Sequence, residues 1–159
     1  MAIDGNWVLE ELVPHAHPMI LIDSISEPEP GGLSSFVRIS EDCPFYEASL
    51  GVPSYVGIEY VAQTVAALAG LKAKRAGEDV KIGFLLGTRR LQATQPYFTL
   101  GSELTISVSP EFESTELAKF RGEVRDSSGN VIVSTAVTVY SGATINNSDN
   151  NSDAPNDGE

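Results

Sequence analysis

The chain has 159 residues, 42% of them apolar, and a formal net charge of −12. That suits one domain with an ordinary core. Four of the acids, Asp149, Asp153, Asp157 and Glu159, lie in the final stretch, so the rest carries −8. An acidic body excludes nucleic acid as a general partner. The single cysteine, Cys43, excludes an intrachain disulfide and fits a reducing, cytoplasmic setting.

The opening MAIDGNW lacks a basic segment followed by an apolar core, so no signal peptide is expected. Asn6 to Leu12 reads as a short helix capped by Asn6, anchored by Trp7, Leu9 and Leu12 and stopped by Pro14. His15, His17 and Pro18 follow. Met19 to Ser26 is a short apolar run between prolines, a strand candidate that turns at Pro28–Gly32 into a second strand, Leu33 to Ile39. Glu41 to Pro53 is irregular.

The most apolar run is Val56 to Leu71. It has a helical period, and Glu59 and Gln63, one turn apart, interrupt its apolar character. The expected helix spans Tyr55 to Arg75, capped by Ser54 and ended by Gly77, with Lys72, Lys74 and Arg75 suiting its C-terminal dipole. A helix apolar all round is expected to be buried all round. A carboxyl on such a helix needs a partner or a task, because an unpaired buried charge is expensive. The run is too short and too polar for a membrane span.

Strands follow: Lys81 to Ala93 with Gly83 and Gly87 as bends, Glu103 to Ser109 with Leu104, Ile106 and Val108 on one face, then Leu117 to Arg125 and Val131 to Tyr140 about a turn at Ser127–Asn130. Residues 145–159 are polar and of low complexity, expected to be disordered, which sets the domain at 1–144. The order implies an α+β fold: a curled antiparallel sheet around one long helix.

Three stretches carry a resemblance to a known family. LVPHAHPMILIDSI, YVGIEYVAQTVAALAG and KIGFLLGTRRLQATQPYFTLGSELTISVS are similar, in order and spacing, to the opening, central helix and later strands of the hotdog-fold beta-hydroxyacyl-acyl carrier protein dehydratases. PHAHPM, GIEYVAQ and GFLLGTR look closest to the dehydratase-like proteins of aryl polyene type pathways. The resemblance implies a hotdog dimer, of one chain or of two, with sites at the subunit interface. It implies removal of water from a thioester carried on the phosphopantetheine of acyl carrier protein, with no other cofactor. Glu59 matches the family acid and Gln63 the glutamine that steadies it. Tyr55, Val56 and Gly57 match the helix start facing the thioester carbonyl.

One departure stands out. The family's base is a histidine fourteen residues before the acid, where this chain has Phe45. His15 and His17 are the only histidines, and either is a candidate base. The alternative is a partner hotdog chain that supplies one, which makes this chain a half-site or a non-catalytic subunit. A third reading is a hotdog thioesterase.

The other candidates have plainer explanations. Two histidines two residues apart make a weak metal site, and none is expected. Cys43 reads as a small hydrophobe and Ser54 as a cap. Gly83 and Gly87 lack the Gly-Lys-Ser/Thr ending of a phosphate loop. Six of the ten cations lie between Lys72 and Arg90. That group, Arg89 and Arg90 included, reads either as a solvated surface or as a docking patch for an acidic carrier protein and its phosphate.

Overall fold

The computed structural model describes residues 8–141. The expected Asn6 cap, the Trp7 anchor and the tail from residue 145 lie outside them. The elements are α1 (Leu9–Leu12), β1 (Ser24–Ile25), β2 (Leu33–Arg38), β3 (Val52–Pro53), a 3-10 turn (Ser54–Val56), α2 (Gly57–Arg75), β4 (Gly83–Ala93), β5 (Tyr97–Phe98), β6 (Glu103–Glu113), β7 (Leu117–Arg125) and β8 (Val131–Ser141).

An antiparallel sheet, in the order β1-β2-β6-β7-β8-β4, curls around α2. β3 and β5 pair separately and steady the entry to the helix. Alternation along β6 buries Leu104, Ile106 and Val108, as its sequence dictates. Phe120 and Val124 of β7 and Val133 and Val137 of β8 complete the inner face. Against it α2 lays Tyr60, Val61, Thr64, Leu68 and Leu71, all buried. The approach is close enough to dictate a glycine: a Cβ on Gly122 would stand 2.4 Å from Cγ1 of Val61. Ser35 donates its hydroxyl to Thr64 Oγ1 at 2.6 Å, because Thr64 spends its own proton on the Tyr60 carbonyl at 2.7 Å.

Several boundaries differ from the sequence reading for physical reasons. Ser54 caps nothing with its side chain; Pro53 leads into a 3-10 turn, and α2 begins one turn later behind Val56. Of Met19 to Ser26 only Ser24–Ile25 pairs as a strand, because the Met19–Leu21 backbone bonds to a side chain of α2 instead. β6 runs on past Ser109 to Glu113, carried through Pro110 by a register shift.

Burial of α2 on every face is the expectation that fails. Glu59, Ala62, Ala66 and Ala73 are half-buried and Ala69 is exposed. The sheet covers one side only, and β4, which follows the helix, is exposed at every residue.

Candidate active site

Glu59 sits in the first turn of α2. Gln63, one turn on and fully buried, holds it. The Gln63 amide donates to Glu59 Oε1 at 3.0 Å and to the Met19 carbonyl at 2.7 Å, while its own oxygen accepts the Leu21 N–H at 2.8 Å. The glutamine therefore ties the acid to the chain that carries the histidines.

His15 Nε2 stands 3.3 Å from the same Glu59 Oε1, with the two side chains 30% and 36% exposed. Its Nδ1 is buried with no hydrogen-bond partner among the described residues. Oε1 thus has two neighbours and Oε2 has none among the described residues. His17 turns away and meets Glu10 at 2.8 Å on the surface. A backbone hydrogen bond, reinforced by His17, lowers the Glu10 pKa.

His15 and Glu59 open onto a cavity of about 510 Å³. Its floor is the uncovered face of α2, Ala62, Ala66, Ala69 and Ala73, continued by Ala76 just past the helix end, and Leu85, Val139 and Tyr140 form the opposite wall. Lys72 and Lys81 lie along the same cavity. Small side chains at alternating steps of three and four leave room for a narrow apolar guest beside the carboxyl.

The remaining predicted site residues are spread more widely. Tyr55 is exposed, Val56 and Gly57 are buried, and the Gly57 N–H already bonds to the Ser54 and Tyr55 carbonyls. Gly57 is thus not an open donor for a thioester oxygen. Phe45 is exposed, with φ of 67°, and does not line the cavity. Arg89 and Arg90 lie on β4, also outside the lining. Tyr60 is buried beneath this region, its ring centroid 5.9 Å from that of Phe98. Burial raises its phenol far above the usual range, with Cys43 and Asp23 adding to the effect. Sequence reasoning missed the Met19 and Leu21 backbone contacts, which no side-chain pattern announces. The alanine floor was missed as well, because the sequence reading took the whole helix as core.

The sequence profile of the ApeP-like family, described as ApeP dehydratase, matches residues 7–149. The chain belongs to the ApeP-like dehydratase family. Among curated relatives of this ApeP-like chain is the 3-hydroxyacyl-[acyl-carrier-protein] dehydratase FabZ of Geotalea uraniireducens. It is 30% identical over 118 residues, which cover 69% of this chain and 77% of that protein. Among solved structures, the dehydratase heterocomplex ApeI:P from Xenorhabdus doucetiae superposes with a TM-score of 0.79 at 26% identity, over 85% of this chain and 91% of that one. These likenesses show the hotdog fold and the dehydratase family. Thioesterase HI1161 from Haemophilus influenzae, at 12% identity and a TM-score of 0.59 over 88% and 94% of the two chains, shares the fold alone. No helix among the described residues is long and apolar enough to cross a membrane.

Proposed function

We propose that this ApeP-like chain dehydrates beta-hydroxyacyl thioesters carried on acyl carrier protein, giving trans-2-enoyl thioesters in fatty-acid-like or polyene synthesis in the cytoplasm. The observation that carries the reading is Glu59 clamped by Gln63, beside His15, at the edge of an apolar cavity. Oε2, the unengaged oxygen, delivers the proton to the leaving hydroxyl. A base removes the proton from the carbon next to the thioester, the carbon–carbon double bond forms, and the hydroxyl departs as water. His15, 3.3 Å from Glu59, is suited to return a proton to the acid after turnover. His17 has no part in this scheme, since it faces Glu10.

The base is the open position. Phe45 stands where the related dehydratases place it, which favours a site completed by a histidine from a second hotdog chain; the solved relative is itself a heterocomplex. The acyl group would be delivered on phosphopantetheine, with Lys72 and Lys81 the cations nearest the cavity to receive its phosphate. The deciding experiment follows enoyl absorbance with a beta-hydroxyacyl thioester. The chain is assayed alone, with a histidine-bearing hotdog partner, and with that partner and Glu59→Gln. Turnover that needs both the partner and Glu59 supports the shared site. Turnover by the pair that survives Glu59→Gln makes this chain a structural subunit. Release of free thiol without enoyl product makes it a thioesterase.

A further inference from the structure

His15 owes its position to anchors on both sides. Leu12 and Val13, just before it, are buried in the core, and so are Ile20, Leu21 and Ile22 beyond it. The Leu12 backbone lies so close to α2 that a Cβ on Gly70 would run into its carbonyl oxygen. On the other flank the Met19 N–H donates to the Ala16 carbonyl at 2.8 Å, and Gln63 grips Met19 and Leu21. A loop pinned at both ends therefore delivers the imidazole to Glu59.

The two ring nitrogens meet unlike surroundings. Nε2 stands 3.3 Å from Glu59 Oε1, whereas Nδ1 is buried with no partner among the described residues. A neutral imidazole carries one hydrogen, on one nitrogen or the other. Placed on Nδ1, it would bury a donor with nothing to receive it and turn the Nε2 lone pair toward those of Oε1. Placed on Nε2, it points at Oε1, and only a lone pair is left in the buried position. An ionised ring donates from Nε2 too, so the return of a proton after turnover is compatible with this arrangement.

Oε1 then has two donors. The other is the Gln63 amide at 3.0 Å, and its direction is fixed because the Gln63 oxygen is already engaged by the Leu21 N–H. An oxygen that accepts from two N–H groups is a poor place for a proton. When Glu59 is the acid, its proton therefore rests on Oε2, which meets no other group among the described residues.

We infer that His15 is a positioning residue: its Nε2–H and the Gln63 amide together hold Oε1, and so confine the acid's proton to Oε2, the oxygen free to meet the leaving hydroxyl. The use made of that proton rests on the dehydration proposed above; the hydrogen on Nε2 and its bond to Glu59 do not.

The chain alone, with histidine labelled at its ring nitrogens, reads the tautomer by nuclear magnetic resonance, and His17→Gln shows which signals belong to which ring. Expected are a neutral His15 with hydrogen on Nε2, a bare Nδ1, and a hydrogen-bonded Nε2–H proton signal that is lost in Glu59→Ala. Two further variants are assayed for enoyl formation beside a histidine-bearing hotdog partner, with melting curves as the check on folding. His15→Gln keeps an N–H donor at about the place of Nε2, and His15→Leu keeps none. His15→Leu is expected to lower kcat by ~10²-fold with KM little changed, and His15→Gln to recover most of that loss. A neutral ring with its hydrogen on Nδ1 overturns the inference. So does an Nε2–H signal that Glu59→Ala leaves in place, or a His15→Leu variant as fast as wild type. His15→Gln as slow as His15→Leu also overturns it, since proton transfer by the ring, rather than donation, would then be its work. If the wild-type pair forms no enoyl product, or His15→Leu does not fold, the ring signals of the chain alone still decide the matter.

Discussion

Replacing Gln63 by leucine tests whether this residue is the clamp of the site. The side chain is fully buried and makes three hydrogen bonds, to Met19, Leu21 and Glu59. Leucine has similar bulk, so little cavity is created. The buried Leu21 N–H loses its acceptor, at about 1–3 kcal/mol. The Met19 carbonyl belongs to a residue that is 45% exposed and regains water cheaply. A loss near 2 kcal/mol follows, which for a chain of this size lowers Tm by about 4–8 °C. Thermal melts by circular dichroism read this directly, and the Leu21 amide should exchange faster. With its steadying donor gone, Glu59 should also lose dehydration activity beyond the loss of folded protein. A Gln63→Leu variant melting within about 1 °C of wild type would refute the reasoning, because an orphaned buried donor cannot be that cheap.

Other outcomes follow from the same geometry. Glu59→Gln should keep the fold and lower turnover with a competent partner by about 10²–10⁴-fold, the usual worth of a general acid. Gly70→Ala, normally favourable within a helix, should instead destabilise by about 1–3 kcal/mol in a chemical denaturation series, since the new Cβ would fall 2.0 Å from the Leu12 carbonyl oxygen. Ala66→Leu narrows the cavity without touching Glu59. Long acyl thioesters should lose activity by ~10-fold relative to short ones in side-by-side assays, with the melting curve little changed. The raised pKa of Tyr60 makes its contribution to stability complete below about pH 10, the pKa of the unfolded phenol. That contribution declines as pH rises toward the folded value. An absorbance titration should show one of the five tyrosines ionising only as ellipticity is lost; five reversible titrations in the folded state would contradict it.

The parts legible in the sequence are those set by local pattern. Leu104, Ile106 and Val108 announced the inner face of β6, and the run around Glu59 and Gln63 announced α2 and its acid. What escaped depends on distant partners. Met19–Leu21 looks like a strand, yet its backbone bonds to Gln63, forty-two residues away in the case of Leu21. Ser54 has a capping residue's chemistry, but Pro53 and the Pro96 carbonyl, which accepts the Ser54 N–H at 2.9 Å, fix the chain so that the helix begins later. The two histidines are equivalent in sequence. Only the path of the chain brings His15 to Glu59 and sends His17 to Glu10. Alanines that read as core turned out to line open space, because the sequence shows hydrophobicity but not where the sheet stops.

The inequality of the sheet's two margins limits how many molecules can join. A margin of only two residues offers no ladder for a newcomer, while the opposite margin offers eleven. Once that longer side is occupied, strand addition has nowhere left to proceed. Strand addition at the longer margin alone would not propagate, because the shorter margin gives a third molecule no ladder to join.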